Sequence, residues 1–465
     1  LAINQASREE LEQSGLFNSY QINSLLSHIK LHGKLIDIAE LQVVEGFDKD
    51  FISKVLPYIT LEKQAIIKTL SFEDLVKGQH QLVLRTQKTL EKSKAYSEDK
   101  YVGSRYKFNS RYRYSFKKNL SAGFTIEKDP GEKLFNNNRF DYNSFHLIYR
   151  NKGLIRTVAI GDYYLSYGQG LVLWSGLSFS KTPEVLAIQK LQVGIHEYTS
   201  SDENNFMRGA AFTLGTGNIT ADLFYSTNKI DGNITRTGDI GVEEVSSLQT
   251  SGYHRTESEI SDKDAISQTI YGSHVSFKKN NYKIGLTGVA NTFSSEIVPG
   301  KEPYNILLSP QKESYSLSAD YNYSFKNFSF FGESATSKGG GTAFIHGTII
   351  SLHPQLSVSF LHRLYSADYA TIKGQGFGEG YKTNNERGFY SGLSIKFNSS
   401  LNLSGYYDLF IFPWLKYQVN APSSGRDYML LLNYKPSKKA EIYLRYKAKN
   451  KQENISSEAI NHLAE

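Results

Sequence analysis

Apolar and polar residues alternate with a period of two through most of this chain, starting near residue 79. The stretch RYKFNSRYRYSF, residues 105–116, shows the pattern clearly. In an extended backbone, successive side chains point to opposite faces. One face of this stretch then carries Arg105, Lys107, Arg111 and Arg113, and the other carries the aromatic residues between them. The pattern predicts a β-strand with a basic, hydrated face and an aromatic face that contacts lipid.

Similar runs recur along the chain, about seventeen in all and roughly nine to eleven residues long, the length of a tilted bilayer crossing. Short turns such as KKN, KN and NSS alternate with long polar segments, notably 228–265 and 365–388. A β-propeller would repeat every 40–50 residues or so, and no such repeat is present. We therefore predict a mainly β fold, a large antiparallel transmembrane β-barrel of about 16–18 or more strands, preceded by a small all-α domain.

Residues 1–60 follow a helical pattern. Ser7 and Asp37 are each followed three residues later by glutamate, the arrangement of a helix capping box. Gly15, Gly33 and Gly46 end or separate the helical runs. Two short helical hairpins, about thirty residues apart, are therefore expected as an internal repeat.

This region resembles the tandem helix-hairpin-helix domain of competence-type DNA-binding proteins. The resemblance places hairpin turns at Gly15-Leu16-Phe17-Asn18 and at Gly46-Phe47-Asp48. In that family the backbone N–H groups of a glycine-rich turn meet a DNA phosphate, but here Asn18 and Asp48 replace the second glycine. Residues 1–60 also hold five basic and eight acidic residues, a net charge of −3. A DNA-binding surface is normally basic, so docking onto other envelope proteins is the favoured role and nucleic acid is disfavoured.

The stretches AGFTIEKDPGE, GDYYLSYGQGLVLWSGLSFSK, FMRGAAF and SGYHRTESE resemble landmarks of an outer-membrane β-barrel family of Bacteroidota. The resemblance implies a barrel in the outer membrane, in contact with its lipid, and a helix-hairpin-helix domain in the periplasm. The chain ends NISSEAINHLAE, without the terminal aromatic residue of such barrels. Seventeen strands is an odd number, whereas bacterial single-chain barrels have even numbers. Family members look longer, so we expect either that closing strands are absent or that one strand is misassigned.

The predicted organisation has four parts. Residues 1–60 form the helical domain, 61–78 a linker or a helix under the barrel, 79–456 the barrel, and 457–465 a polar tail or truncated end. Within the barrel, Gly168-Gln169-Gly170 either bends a strand inward, making residues 171–205 a plug or constriction, or forms an ordinary hairpin turn. Both interpretations are kept open.

The candidate lumen charges are Arg85, Arg105, Lys107, Arg111, Arg113 and Arg208, facing Glu127, Asp129, Asp162 and Glu203. They form either a selectivity ladder across a pore or a set of ion pairs that holds the wall together. The second interpretation is favoured, because any such barrel has a polar interior.

Composition narrows the function further. The net charge of +7, from 53 basic and 46 acidic residues, is too small to indicate nucleic acid. The absence of cysteine excludes disulfides and thiol-based sites. His80, His146, His196 and His254 lack zinc-ligand spacing, so no metal, cofactor or catalytic residue is assigned.

We therefore expect a non-enzymatic outer-membrane barrel that serves as a subunit of a larger envelope assembly of the protein-assembly or secretion type. In this interpretation residues 1–60 dock it to other proteins in the periplasm. The alternative is a channel or porin for uptake of solutes or DNA, with residues 171–205 as its constriction.

Overall fold

The fold is described from a computed structural model over residues 1–61, 77–136, 139–178, 180–237 and 242–454. The predicted linker, 61–78, falls mostly outside this part, and the predicted tail, 457–465, entirely so.

The N-terminal helical unit packs around its own apolar core. It contains three α-helices and two 3₁₀ turns: α1 Arg8–Gln13, α2 Ser19–His32, 3₁₀ Ile38–Val43, α3 Lys49–Val55 and 3₁₀ Leu56–Tyr58. Ser7, Asn18 and Asp37 form the capping boxes that start the first three of these elements. The rings of Phe17 and Phe47 lie 5.6 Å apart in the core.

The remainder is dominated by β-strands. They are β1 Gln79–Lys88, β2 Tyr106–Phe116, β3 Leu120–Lys128, β4 Phe135–Asn136, β5 Arg139–Phe140, β6 Tyr142–Arg150, β7 Ile155–Ser166, β8 Gly194–Glu197, β9 Met207–Thr216, β10 Ile219–Ile230 and β11 Gly232–Thr237. The second half contains β12 Val242–Leu248, β13 Ile266–Lys279, β14 Tyr282–Ile297, β15 Gln311–Phe325, β16 Phe328–Ser337, β17 Thr342–His353, β18 Leu356–Tyr365, β19 Glu386–Lys396, β20 Leu401–Phe412, β21 Ser423–Ser437 and β22 Ala440–Lys451. Short helices α4 Lys94–Ser97 and α5 Glu257–Ser261 and a 3₁₀ turn at Pro303–Asn305 lie in the connections.

Twenty of these strands form one sheet. Three of them are short side strands, namely β8, β11 and β12. β8 pairs with β7, and β11 and β12 form a hairpin in which β12 pairs in parallel with β14. The remaining seventeen follow an antiparallel up-and-down order from β1 to β22. The predicted mainly β fold and its strand number are confirmed. Within the described ranges β1 pairs with β2 and β22 with β21, and no register joins β1 to β22.

The sheet curls around a segment of the chain that lies inside it. Its outer face exposes many apolar side chains, the reverse of a soluble β-sandwich. Side chains on the inner face include Asp320, Glu333 and Asp408, each at most 4% exposed. On the outer face Leu286, Leu317 and Leu409 are 60, 54 and 46% exposed, and the same pattern repeats on most strands. Apolar side chains therefore cover the outside, whereas the inside combines polar side chains with an apolar cluster that includes Phe331, Ile345 and Leu361. Among the described residues, no helix is long and apolar enough to cross a membrane.

The helical unit lies against the short turns of the barrel. Glu9 pairs with Lys278 at 2.7 Å, Asp50 with Lys435 at 2.6 Å, and Asp48 approaches Lys396 at 3.8 Å. The Tyr20 hydroxyl lies 2.7 Å from Ser351 Oγ, and Asn23 donates to Ser324 Oγ at the same distance. Three of the eight acidic residues of this unit are thus directed at lysines of the same chain.

These ion pairs predict a salt-sensitive contact. Replacing Lys278, Lys396 and Lys435 together by glutamine should speed amide exchange at the helical face that meets the barrel, because partly exposed pairs contribute at most about 1 kcal/mol each and are screened by salt. Hydrogen exchange with mass spectrometry measures this. Lys326→Gln, at the β15–β16 turn, is the matched control. Equal exchange in both variants at low salt would contradict the prediction.

Candidate functional site

A bend after β7 turns the chain into the lumen. Gly168 and Gly170 have φ values of +57° and +81°, which suit glycine and strain other residues. The backbone N–H groups of Gln169 and Leu171 both donate to Glu333 Oε2, at 2.6 and 3.0 Å. Glu333 belongs to β16, so one buried carboxylate fixes the bend from the facing wall. The structure places Gly168, Gln169 and Gly170 at this inward bend.

The chain after the bend occupies part of the lumen. We define the internal segment as residues 167–193. Its Val185 carbonyl accepts hydrogen bonds from Ser359 Oγ of β18 at 2.7 Å and from the Tyr390 hydroxyl of β19 at 3.2 Å. Gln192 donates to Asp320 of β15 at 3.2 Å. The internal segment is therefore built into the side of the barrel formed by β10 to β21.

A second connection, residues 366–385, packs on the internal segment. The Tyr369 hydroxyl donates to the Leu171 carbonyl at 2.9 Å, and Thr371 Oγ1 to that of Val172 at 3.1 Å. A Cβ at Gly374 would lie 2.4 Å from the Leu171 oxygen. Close approach of the Leu171 backbone therefore explains the glycine at this position.

A buried ionic network holds the internal segment to the last strands. Arg363 donates to Glu386 at 2.6 Å and to both oxygens of Asp408 at 2.8 and 3.0 Å. Lys181, on the internal segment, reaches Asp408 at 3.0 Å and Asp427 at 3.1 Å. These groups are almost completely buried, so each charge depends on its partners.

The predicted lumen charges of β1 to β3 face the interior. The registers place Arg85, Lys107, Arg111 and Arg113 on the same face as buried Glu127. Lys107 lies 2.5 Å from both Glu127 and Asp129. Arg113 pairs with Glu197 at 3.0 Å, and Arg85 donates to Gln87 at 2.9 Å. Arg105 precedes β2 and donates to the Leu90 carbonyl.

Asp162 and Arg208 join neighbouring strands. Arg208 donates to both oxygens of Asp162, at 2.7 and 2.9 Å, and Asp162 also accepts the backbone N–H of Phe145 at 3.1 Å. The carboxylate therefore lies between β6 and β7 and ties the wall together. The structure does not bring this pair into the set of charges on β1 and β2.

The sequence interpretation missed a further row of cations. The register with β21 places Arg445, Lys447, Lys449 and Lys451 on the inner face of β22. Lys449 and Lys451 reach Glu379 at 2.5 and 2.9 Å. The signal was present in AEIYLRYKAKNK, where basic residues recur at every second position.

The hairpin turns lie within the helical unit, near the barrel. Gly15 and Gly46 have positive φ values, +64° and +85°. Asn18 and Asp48 are the N-caps of α2 and α3, accepting from Gln21 and Phe51 backbone N–H groups. Leu16 packs against the helical core, and Phe47 is buried in it. Asp48 is directed towards a barrel lysine, so capping and docking account for the two replaced glycines.

A polar cluster joins three loops at the end of the barrel opposite the helical unit. His254 contacts Asp141 through Nδ1 at 3.0 Å and Asp231 through Nε2 at 2.8 Å, and its backbone N–H donates to Glu132 at 2.9 Å. Lys263 adds a contact to Asp141 at 2.7 Å. Potential metal-ligand atoms of Glu132, Asp141 and His254 lie within 4.8 Å of one another. Burial lowers the pKa of His254, but hydrogen bonds to two carboxylates outweigh this effect and raise the pKa to about 10. In the resulting protonated state the imidazole donates to Asp141 and Asp231, so charge-assisted hydrogen bonds join the three loops.

The cluster predicts that the loops loosen as the pH rises. Burial and the nearby Asp141 raise the pKa of Glu132 to about 7 from its ordinary value of 4.5. The Glu132 carboxyl therefore stabilises the loop cluster fully below about pH 4.5, and this stabilisation is lost as the pH rises through about 7. We expect faster proteolysis of the 251–265 loop at pH 8 or so than at about pH 5, and Glu132→Gln should reduce the difference. Part of it should remain, because burial also raises the pKa of the neighbouring Glu203, to about 9. Glu257→Gln, in the same loop, is the control, and an unchanged pH profile in Glu132→Gln would contradict this account.

Comparison with known proteins gives limited similarity. No family model matches the chain, and no curated protein does. Among solved structures, Pseudomonas aeruginosa OccK3 (OpdO) matches at 10% identity, covering 82% of this chain and 92% of that one, with a TM-score of 0.41. The outer membrane protein OpdK of the same organism matches at 10% identity, covering 75% and 88%, with a TM-score of 0.39. OccK2 (OpdF) in complex with glucuronate matches at 9% identity, covering 80% and 90%, with a TM-score of 0.36.

Proposed function

We propose that this protein is a non-enzymatic outer-membrane β-barrel channel whose passage is narrowed by the internal segment. The observation that carries the proposal is the fixed inward fold of residues 167–193. It is anchored to Glu333 on the facing wall and packs on the side formed by β10 to β21. The inner side chains of β2, from Lys107 to Ser115, are only partly buried. A lumen filled on one side and open on the other is the construction of a constricted pore.

The outer surface supports placement in a membrane. Exposed apolar side chains recur at outward positions from Leu84 of β1 to Leu444 of β22, which are 65 and 71% exposed. So extensive an apolar belt is stabilised by contact with lipid. In outer-membrane barrels the short turns face the periplasm, so the helical unit, which contacts those turns, lies on the periplasmic side.

The contacts of the helical unit favour a channel over a docked subunit. The assembly hypothesis rested on the acidic charge of residues 1–60. Three of these acids, Glu9, Asp48 and Asp50, are directed at lysines of the same chain. These three charges therefore have an intramolecular role.

Single-channel recording tests the proposal. Protein purified from native outer membranes in mild detergent, once inserted into a planar bilayer, should give small, discrete conductance steps. A heat-denatured sample of the same preparation is the control. Insertion of folded, heat-modifiable protein without any conductance would refute the channel, and stoichiometric co-purification of envelope proteins would then favour the assembly subunit.

A further inference from the structure

We propose that the N-terminal helical unit is a gate, which closes the periplasmic mouth of the passage and opens by moving away from the rim. This inference rests on the proposed channel and adds a means of controlling it. The unit contacts the wall beside five consecutive short turns, which are β13–β14, β15–β16, β17–β18, β19–β20 and β21–β22. The wall residues in these contacts are, in the same order, Lys278, Ser324, Ser351, Lys396 and Lys435.

These five turns form more than half of the rim. They join ten of the seventeen strands of the wall, from β13 to β22. The wall is curled, since Glu333 of β16 holds the bend that follows β7 on the facing side. Burial lowers the pKa of the Leu1 ammonium group, and the nearby charge of Lys118, in the β2–β3 turn, lowers it further. A compact unit that reaches all of these turns lies across the opening.

The contacts lie on the inner face of the wall. On each strand the contacting residue is an even number of positions away from a buried inner residue, so both side chains point to the same face. These inner residues are, in the order of the contacts, His274, Asp320, Ile349, Tyr390 and Asp427, each at most 4% exposed. Ser324 and Ser351 are themselves buried, although both lie beside turns. The helical unit therefore covers the lumen and does not lie against the outer, lipid-facing side of the wall.

The helical unit can leave the rim without unfolding. Its apolar core consists of its own residues, and over the described ranges the apolar cluster inside the barrel includes none of them. The contact between unit and wall includes three ion pairs and two hydrogen bonds, contributed by all three α-helices of the unit. Partly exposed ion pairs are weak and are screened by salt. Such a contact holds the gate closed for most of the time at low salt and lets it open reversibly.

The open fraction in single-channel recordings tests the gate. It should be small for the wild type in about 0.1 M potassium chloride and several-fold larger in about 1 M, because the Debye length falls from about 10 Å to about 3 Å. The triple variant Lys278→Gln/Lys396→Gln/Lys435→Gln should show the high-salt behaviour already at the lower concentration. Lys326→Gln, in the β15–β16 turn, is the matched control and should keep the wild-type dependence on salt. An open fraction that neither salt nor the triple variant changes would overturn the gate.

A reversible cross-link distinguishes a closed mouth from a mere contact at the rim. Because the chain has no cysteine, the variant Glu9→Cys/Lys278→Cys/Asp50→Cys/Lys435→Cys places one cysteine pair at each end of the contacted arc. A bifunctional methanethiosulfonate that links both pairs should abolish conductance even at high salt, and a reductant should restore it. The variant Lys278→Cys/Lys435→Cys, treated in the same way, is the control and should conduct throughout.

The possible failures of this experiment are distinct. Linked protein that conducts as well as the reduced protein would overturn the gate and leave the channel intact. No conductance from the folded wild type and from the reduced variant would remove the channel, and the gate with it.

Discussion

Replacing residues 181–189 with a short glycine–serine linker should raise the single-channel conductance severalfold. This replacement removes Lys181, Val185 and Ile188, which fill the lumen beside β18 to β21. The Gly168–Gly170 bend and its anchor on Glu333 remain. Pore conductance rises steeply as the narrowest cross-section widens, so the change should exceed that of any single substitution in the wall.

The matched control is an equally short replacement in the β14–β15 connection, within residues 298–308. That connection lies at the same end of the barrel and is largely exposed, so its replacement should leave the conductance near that of the wild type. A similar increase in both variants would indicate a general loosening of the barrel. An unchanged conductance in the 181–189 variant would contradict the role assigned to the internal segment.

Arg363→Met should destabilise the barrel by about 3–5 kcal/mol, the usual effect of removing one partner from a buried ionic network. The substitution leaves Glu386 and Asp408 buried without their guanidinium, and both are fully enclosed. Lys181 compensates Asp408 only in part, since it also serves Glu379 and Asp427. The measurement is the temperature at which the folded, faster-migrating form is lost on semi-native electrophoresis.

Arg387→Met is the control for this prediction. Arg387 follows Glu386 directly on β19 but points outward and is exposed, so its replacement should change the transition temperature little. Equal transition temperatures for Arg363→Met and the wild type would show that the buried network adds little to stability.

The sequence was most informative about the barrel wall, because the alternation of apolar and polar residues that defines a barrel strand lies within the strand itself. The alternation in residues 105–116 divides β2 into two faces, and the registers with β1 and β3 place its odd-numbered residues on the same face as Arg85 and Glu127. The capping boxes at Ser7 and Asp37 also depend on residues only three positions apart. Such short-range patterns can be read without knowledge of the fold.

The lumen could not be predicted to the same extent, because its contacts join residues far apart in the chain. Glu333 anchors a bend more than 160 residues earlier, and nothing near Glu333 in the sequence indicates this partner. The packing of the polar connection 366–385 on Leu171 and Val172 also depends on the curvature of the whole sheet, which no local pattern in the sequence reveals. The position of Asp162 between two strands likewise follows from a local opening of the β6–β7 pair.

The most direct test of the account is a single-cysteine scan along β2 in intact outer membranes, which the cysteine-free chain allows. Cysteines at Asn109, Arg111 and Arg113 should react with a water-soluble thiol reagent, because these positions face the open passage. Cysteines at Phe108 and Tyr112 should resist it, because lipid covers them. Labelling that follows this period of two is the result that the account predicts. Equal labelling at both sets of positions would contradict a lipid-embedded wall with an open lumen.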